Sequence, residues 1–326
     1  MSKHRAREAM SLVVILVVGM AAAAQSGAGT GDTNSALFPS CCAGWTLPAK
    51  THVGRPPSQE GTIEIRGLGS FAFDPAQVQS LRKDVFQTGY FSVFDALAHL
   101  ARQGQIQMQY AWDDAAGTYL VQSLNGKSGW WYDAHYAGGT FERPVVRMDE
   151  YPVKDGMAIH LYLEDPERLA AILTSFREET ARLLANAGRL VLPRVKVTAP
   201  QGELSFDDVL VTAHNSRADV FQSGVITVLD VLLSLGEQGK LAAVGLTWRT
   251  EMDGADPVDG YFVDRIDAAG FSILSTGDCT YAHEVGSEGL MNYLPPHGHK
   301  TSHIHLTSDL KVLTSPEYVE FLWTCL

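Results

Sequence analysis

The chain has 326 residues, 45% of them hydrophobic and 19% charged, which is enough apolar material for two domains with packed cores. Its formal charge of −12 excludes an electrostatic partnership with nucleic acid or an anionic lipid surface and leaves cations, neutral ligands and basic partners open.

Residues 1–24 read as a secretory signal peptide. Lys3, Arg5 and Arg7 precede an apolar run at 11–20, small residues fill 21–24, and cleavage is expected before Gln25. The run is short for a membrane span and no later stretch offers one, so the mature protein is expected to be exported, whether periplasmic, cell-surface or secreted. Loss of Lys3, Arg5, Arg7 and Glu8 moves the charge to −14. Residues 25–60, rich in Gly, Ser, Thr, Asn and Pro, read as a mobile linker carrying Cys41 and Cys42. Export favours oxidised cysteines, and a bond between neighbours is strained. The N-terminal pair is therefore expected to reach Cys279 and Cys325, in either combination.

The rest of the chain is organised by a repeat. Residues 84–104 match 219–239 at a shift of 135 positions, with Asp84, Val85, Phe86, Gln87, Gly89, Val93, Asp95, Leu97, Leu100, Gln103 and Gly104 all identical to their counterparts. Each copy holds a helix opened by a hydroxyl-x-x-acid start, Ser92 to Asp95 and Thr227 to Asp230, and stopped by Gly104 or Gly239. Val93, Leu97 and Leu100, with Val228, Leu232 and Leu235, make one buried stripe per helix. Alternating segments predict strands at 62–66 and 70–73 before the first helix and at 106–112, 118–124, 130–135 and 157–163 after it. The second copy repeats them at 194–198, 204–206, 241–249, 261–266, 302–307 and 318–323. Between the copies, 166–187 predicts a long amphipathic helix capped by Asp165, opened by Pro166 and stopped by Gly188. Its apolar face should dock on one or both neighbours. The divisions are thus 61–165 for the first repeat, 166–190 for the connecting helix and 191–326 for the second repeat. The class is α+β, two tandem β-grasp-like domains in which a mixed sheet wraps one helix.

Four features carry a family resemblance: Ser92–Leu97 with Thr227–Leu232 opening the helices, Tyr119-Leu120-Val121 with Tyr261-Phe262-Val263, Gly129-Trp130-Trp131-Tyr132, and the Lys154-Asp155-Gly156 turn. With these, both repeats resemble the domains similar to the C-terminal domain of transcobalamin that occur in exported bacterial proteins. The resemblance implies a β-grasp-like fold and a binding or surface role, with a corrinoid as ligand only in animal members, and it brings no catalytic set. The second copy lacks the Trp pair.

Histidine distribution points to a different ligand. His283, His297, His299, His303 and His305 crowd the end of the second repeat, and imidazole is a common ligand for zinc and copper where cysteine is oxidised. His135 and His160 offer apparent counterparts, Ala134-His135 with Ala282-His283 and Ile159-His160-Leu161 with Ile304-His305-Leu306. His303 and His305 would share one side of a strand. Trp131, Tyr132 and Tyr136 form the alternative site, a stacking platform for an organic or corrinoid-like ligand between the repeats. Asp253, Asp256 and Asp259 read as a solvated hairpin turn in preference to a calcium loop. No hydrolase elbow, metalloprotease helix or phosphate loop is present. The sequence therefore describes an exported binding protein, more a binder than an enzyme, with zinc or copper on the second repeat as the first ligand expected. A protein-interaction module without small ligand is the third reading.

Overall fold

The computed structural model describes residues 36–37, 53–137, 139, 141–252, 256–274, 279–289 and 305–325. The signal segment, Cys41, Cys42, His297, His299 and His303 lie outside them. After β1 (Ala36–Leu37), the first half runs β2 (Gly61–Ile65), β3 (Gly69–Phe73), α1 (Val93–Arg102), β4 (Met108–Asp113), β5 (Thr118–Leu124), β6 (Trp130–His135), β7 (Phe141–Glu142) and β8 (Ala158–Leu163). Helix α1 starts where expected because its capping box closes. Ser92 Oγ accepts from the Asp95 backbone N–H at 3.1 Å, and the Asp95 carboxylate accepts from the Ser92 N–H at 2.8 Å. It ends at Gly104, whose φ of +72° suits a left-handed stop. Its stripe of Val93, Leu97 and Leu100 is fully buried with Ile63, Ile65, Ile159 and Leu161 of a sheet ordered β3-β2-β8-β6-β7. Strands β2 and β8 are parallel and the other pairs antiparallel. Hairpin β4-β5 stands apart as a two-stranded ribbon.

The second half follows α2 (Pro166–Ala185) with β9 (Leu190–Ala199), β10 (Gly202–Val211), α3 (Val228–Glu237), β11 (Ala243–Met252), β12 (Asp256–Ala268), β13 (Phe271–Leu274), β14 (Cys279–Gly286) and β15 (Tyr318–Cys325). Its sheet is ordered β1-β11-β12-β14-β15-β9-β10, with β13 on β12. The run β10-β9-β15-β14 repeats β3-β2-β8-β6, including the parallel central pair, β15 with β9. The whole is mixed α+β, mostly sheet, with three α-helices among the described residues.

Two expectations about the second half are corrected. The strand expected at 318–323 forms as β15, whereas residues 305–307 of the segment expected as a strand at 302–307 form bends and loop. Register also revises the histidine counterparts. Leu161 pairs Tyr132 on one side and Ile65 on the other, as Phe321 pairs His283 and Val197. His283 therefore takes the place of Tyr132, not of His135, and Glu320 takes the place of His160. His305 is placed by the loops that cradle the helix starts. Met148 O and Tyr151 O accept from Phe94 and Val93, as Ser308 O and Lys311 O accept from Leu229 and Val228. That match puts His305 at the position of Val145, on the loop before this cradle. The similarity of the two Ile-His-Leu triplets is coincidental, because the second half spends more residues between β14 and β15.

The halves meet through their most similar stretch. Phe86 and Phe221 form an antiparallel bridge, with Gln87 N–H donating to Val220 O and Gln222 N–H to Val85 O, each at 2.8 Å. The Gln87 and Gln222 amides donate to Phe221 O and Phe86 O, and the two Phe rings sit 5.6 Å apart. Identical residues thus serve a local two-fold, the logic of an isologous interface. Helix α2 docks on both halves as expected: Ile172 and Phe176 enter the first core and Leu183 packs against the second. No helix among the described residues is long and apolar enough to cross a membrane.

Candidate functional site

Two residues upstream of the repeated Asp84 and Asp219 stand Arg82 and Arg217, so the shared motif is Arg-x-Asp-Val-Phe-Gln. Each guanidinium joins its own aspartate to one from the loop cradling the helix. Arg82 reaches Asp84 at 2.9 Å and Asp149 at 2.8 Å; Arg217 reaches Asp219 at 3.1 Å and Asp309 at 2.9 Å. Each also lies over a Trp of the neighbouring hairpin, Trp112 at 5.4 Å and Trp248 at 5.0 Å from the ring centre. The copies differ in exposure. The Asp84 side chain is 67% exposed and that of Asp219 only 7%.

Asp219 is covered by residues 53–60, which lie along the junction as a strap. The Gly54 N–H donates to Asp219 Oδ2 at 2.9 Å, and Tyr90 Oη donates to Gly54 O at 2.6 Å. A Cβ on Gly54 would collide with Arg217 and Asp219, so glycine is required by close approach. At its other end, Ser58 and Gln59 N–H groups donate to Asp155 at 2.6 and 2.8 Å, and Ser58 Oγ at 3.0 Å. The linker expected to be mobile over 25–60 is thus anchored over its last eight residues, and β1 pairs with β11.

Under the strap lies a cleft of about 410 Å³ between the halves. Tyr90, Lys154 and Asp155 come from the first half, and Arg217, Val258 and Asp259 from the second. Lys154 donates to the backbone carbonyls of Val258, at 3.0 Å, and His305. Burial pushes its ammonium down to about 8, against the attraction of Glu142 and Asp309. Burial raises the Asp259 carboxyl above its usual range, although Lys154 and Arg217 oppose this. Burial disfavours the Asp219 carboxylate too, but the Arg217 hydrogen bond and charge prevail and hold it below the usual value.

The described residues among those expected to bind a ligand sit elsewhere. Trp131, Tyr132 and Tyr136 are buried in the first core; Trp131 Nε1 donates to Pro144 O and Tyr132 Oη to Val146 O. None of the three lines the cleft. Tyr136 shares a hydrogen bond with Tyr151 Oη at 2.5 Å and stacks on the ring of His305, centres 3.9 Å apart. His305 is buried, and its backbone N–H donates to Glu142 Oε1 at 2.9 Å. His283 is buried on the core-facing side of β14. His135 and His160 stack at 3.7 Å on the outer face of the first sheet, with Glu64 3.6 Å from His160. Burial and the neighbouring imidazole lower the His135 pKa. Among the described residues, no three His, Cys, Asp or Glu are placed to share a metal ion. Cys279 and Cys325 are register partners across β14 and β15.

The structure thus defines a mixed α+β protein with a polar cleft between two related halves. No protein-family model matches the chain, and neither a curated protein nor a solved structure is detectably similar to it.

Proposed function

We propose that this is an exported, non-enzymatic binding protein made of two tandem β-grasp-like domains, and that a small organic molecule occupies the cleft between them. The tandem reading is supported by the shared strand run around a parallel central pair in both halves, and the transcobalamin C-terminal-like resemblance agrees with it. The observation that carries the function is the cleft itself: about 410 Å³, contributed by both halves, with charged groups set beside Val258 and Leu310. That volume lies within the range of small-ligand sites and suits something smaller than an intact corrinoid. The metal reading keeps His297, His299 and His303, which lie outside the described residues.

The test is native mass spectrometry of untagged protein recovered from its exporting host. A bound mass is expected on the wild type and is expected to be lost in Ala137→Trp, which places an indole at the exposed cleft wall. A protein free of any adduct, unchanged by that substitution, would end the cleft reading. Metal analysis of the same samples addresses zinc and copper: a stoichiometric ion removed by replacing His303 and His305 would restore the metal reading.

A further inference from the structure

The charged groups of the cleft are unequally engaged. Arg217 gives four of its five N–H groups, to Asp219, Asp309 and the Asp259 carbonyl. Asp155 is taken up by the strap through three hydrogen bonds. Lys154 has three N–H donors and gives two of them, to Val258 O and His305 O. The Asp259 carboxylate accepts no hydrogen bond and forms no ion pair among the described residues, although it is half-buried and attracted by Lys154, Arg217 and Arg55. Its backbone is held at a φ of +44°, a left-handed conformation that aspartate tolerates better than most residues. Exposed Arg55 on the strap and exposed Glu251 on β11 add one further charge of each sign at the wall. The spare valences are thus one cation and one anion, each partly buried, that form no ion pair with each other. Such groups in a low-dielectric site call for complementary charges on whatever fills it.

We propose that the cleft binds a small zwitterion, of the free α-amino acid or betaine class, with its carboxylate on Lys154 and its cationic group on Asp259. This rests on the cleft reading of the preceding section. Lys154 is still mostly an ammonium at neutral pH, and Val258 and Leu310 back the wall of the cleft. A singly charged ligand would leave one of the two groups desolvated and unanswered, which is the source of the expected selectivity.

The experiment is a thermal-shift and calorimetric screen of the dialysed full chain against the free amino acids and glycine betaine. N-acetyl amino acids, which lack the cation, and amino-acid amides, which lack the carboxylate, serve as matched controls. At least one zwitterion should raise the melting temperature and bind at least tenfold more tightly than both of its singly charged analogues. Asp259→Asn, which changes no other contact made among the described residues, should weaken that zwitterion at least tenfold and leave its N-acetyl analogue, which has no cation to place there, unchanged. Lys154→Arg keeps the charge should Lys154→Met fail to fold, and it should retain part of the binding. If no zwitterion binds at millimolar concentration, or the analogues bind as well, the inference is overturned. A neutral or singly charged adduct found by native mass spectrometry would overturn it while leaving the cleft reading standing, so the two failures are distinct.

Discussion

Asp84 and Asp219 are the same residue of the same repeated motif, yet their surroundings give them different weight. Asp219 is buried against Arg217 and holds the strap, whereas Asp84 meets Arg82 with most of its side chain in water. Asp219→Asn should cost about 1–3 kcal/mol through loss of charged, buried hydrogen bonds, and Asp84→Asn no more than about 0.5 kcal/mol. Urea midpoints of the two variants, compared with wild type, give both numbers; equal losses would mean that burial is not what separates them. Lys154 and Lys311 supply a pH signature. Burial pushes both down to about 8, whereas an unfolded lysine titrates near 10.4. Between those values the unfolded chain binds more protons, so stability should rise with pH from about 8 to about 10. Below about 8 both states are protonated and the full burden of the two buried ammonium groups is present. Above about 10 the buried hydroxyls of Tyr132 and Tyr151, whose pKa values burial raises, reverse the slope. Denaturant midpoints measured at pH 7, 8, 9 and 10 check this, and a flat or falling profile would contradict it.

At the scale of elements, α2 does more than connect. Phe176 is buried under the Arg147 guanidinium, 4.5 Å from its ring, and Arg147 pairs with Glu179 of the same helix at 2.7 Å. Farther along, Leu183 rests on the second core and Arg182 donates to the Ser315 carbonyl. Phe176→Ala should therefore cost about 3–5 kcal/mol, the usual range for a buried ring. Leu184, 70% exposed on the same helix, should accept Ser with a change within about 0.5 kcal/mol. Chemical denaturation of both variants decides the matter: a mild Phe176→Ala would mean that the helix is a tether and not a brace. The bridge between Phe86 and Phe221 behaves as a second brace. Phe86→Ala and Phe221→Ala should couple in a double-mutant cycle by about 0.5–3 kcal/mol, because each ring packs on the other.

For the whole molecule these braces predict one cooperative unit. Val220, Phe221, Leu306, Leu310 and Val312 belong to the second half in sequence but pack in the first hydrophobic core. Thermal unfolding followed by circular dichroism and by tryptophan fluorescence should therefore give coincident transitions, and two separated steps would show halves that melt alone. Much of this architecture was legible before any coordinate. Helices α1 and α3, their caps and stripes, the connector, and strands β5 and β6 follow from local periodicity and turn chemistry, which nearest neighbours along the chain impose. Strand β14 is not legible in the sequence, because Cys279–Gly286 has no alternation of its own and is recruited by β15, while the pattern at 302–307 predicts a strand that residues 305–307 do not form. The crowded histidines are a compositional signal that stands out along the chain, whereas Lys154, Asp259 and the two Arg-x-Asp pairs do not. What the sequence determined by itself was the duplication and the local structure of each copy. Tertiary structure alone decided which carboxylates are buried, that Gly54 seats on Arg217 and Asp219, and that Lys154 and Asp259 face one cleft. Burial and distance between residues 100 or more positions apart are properties of packing, and no window along the chain contains them.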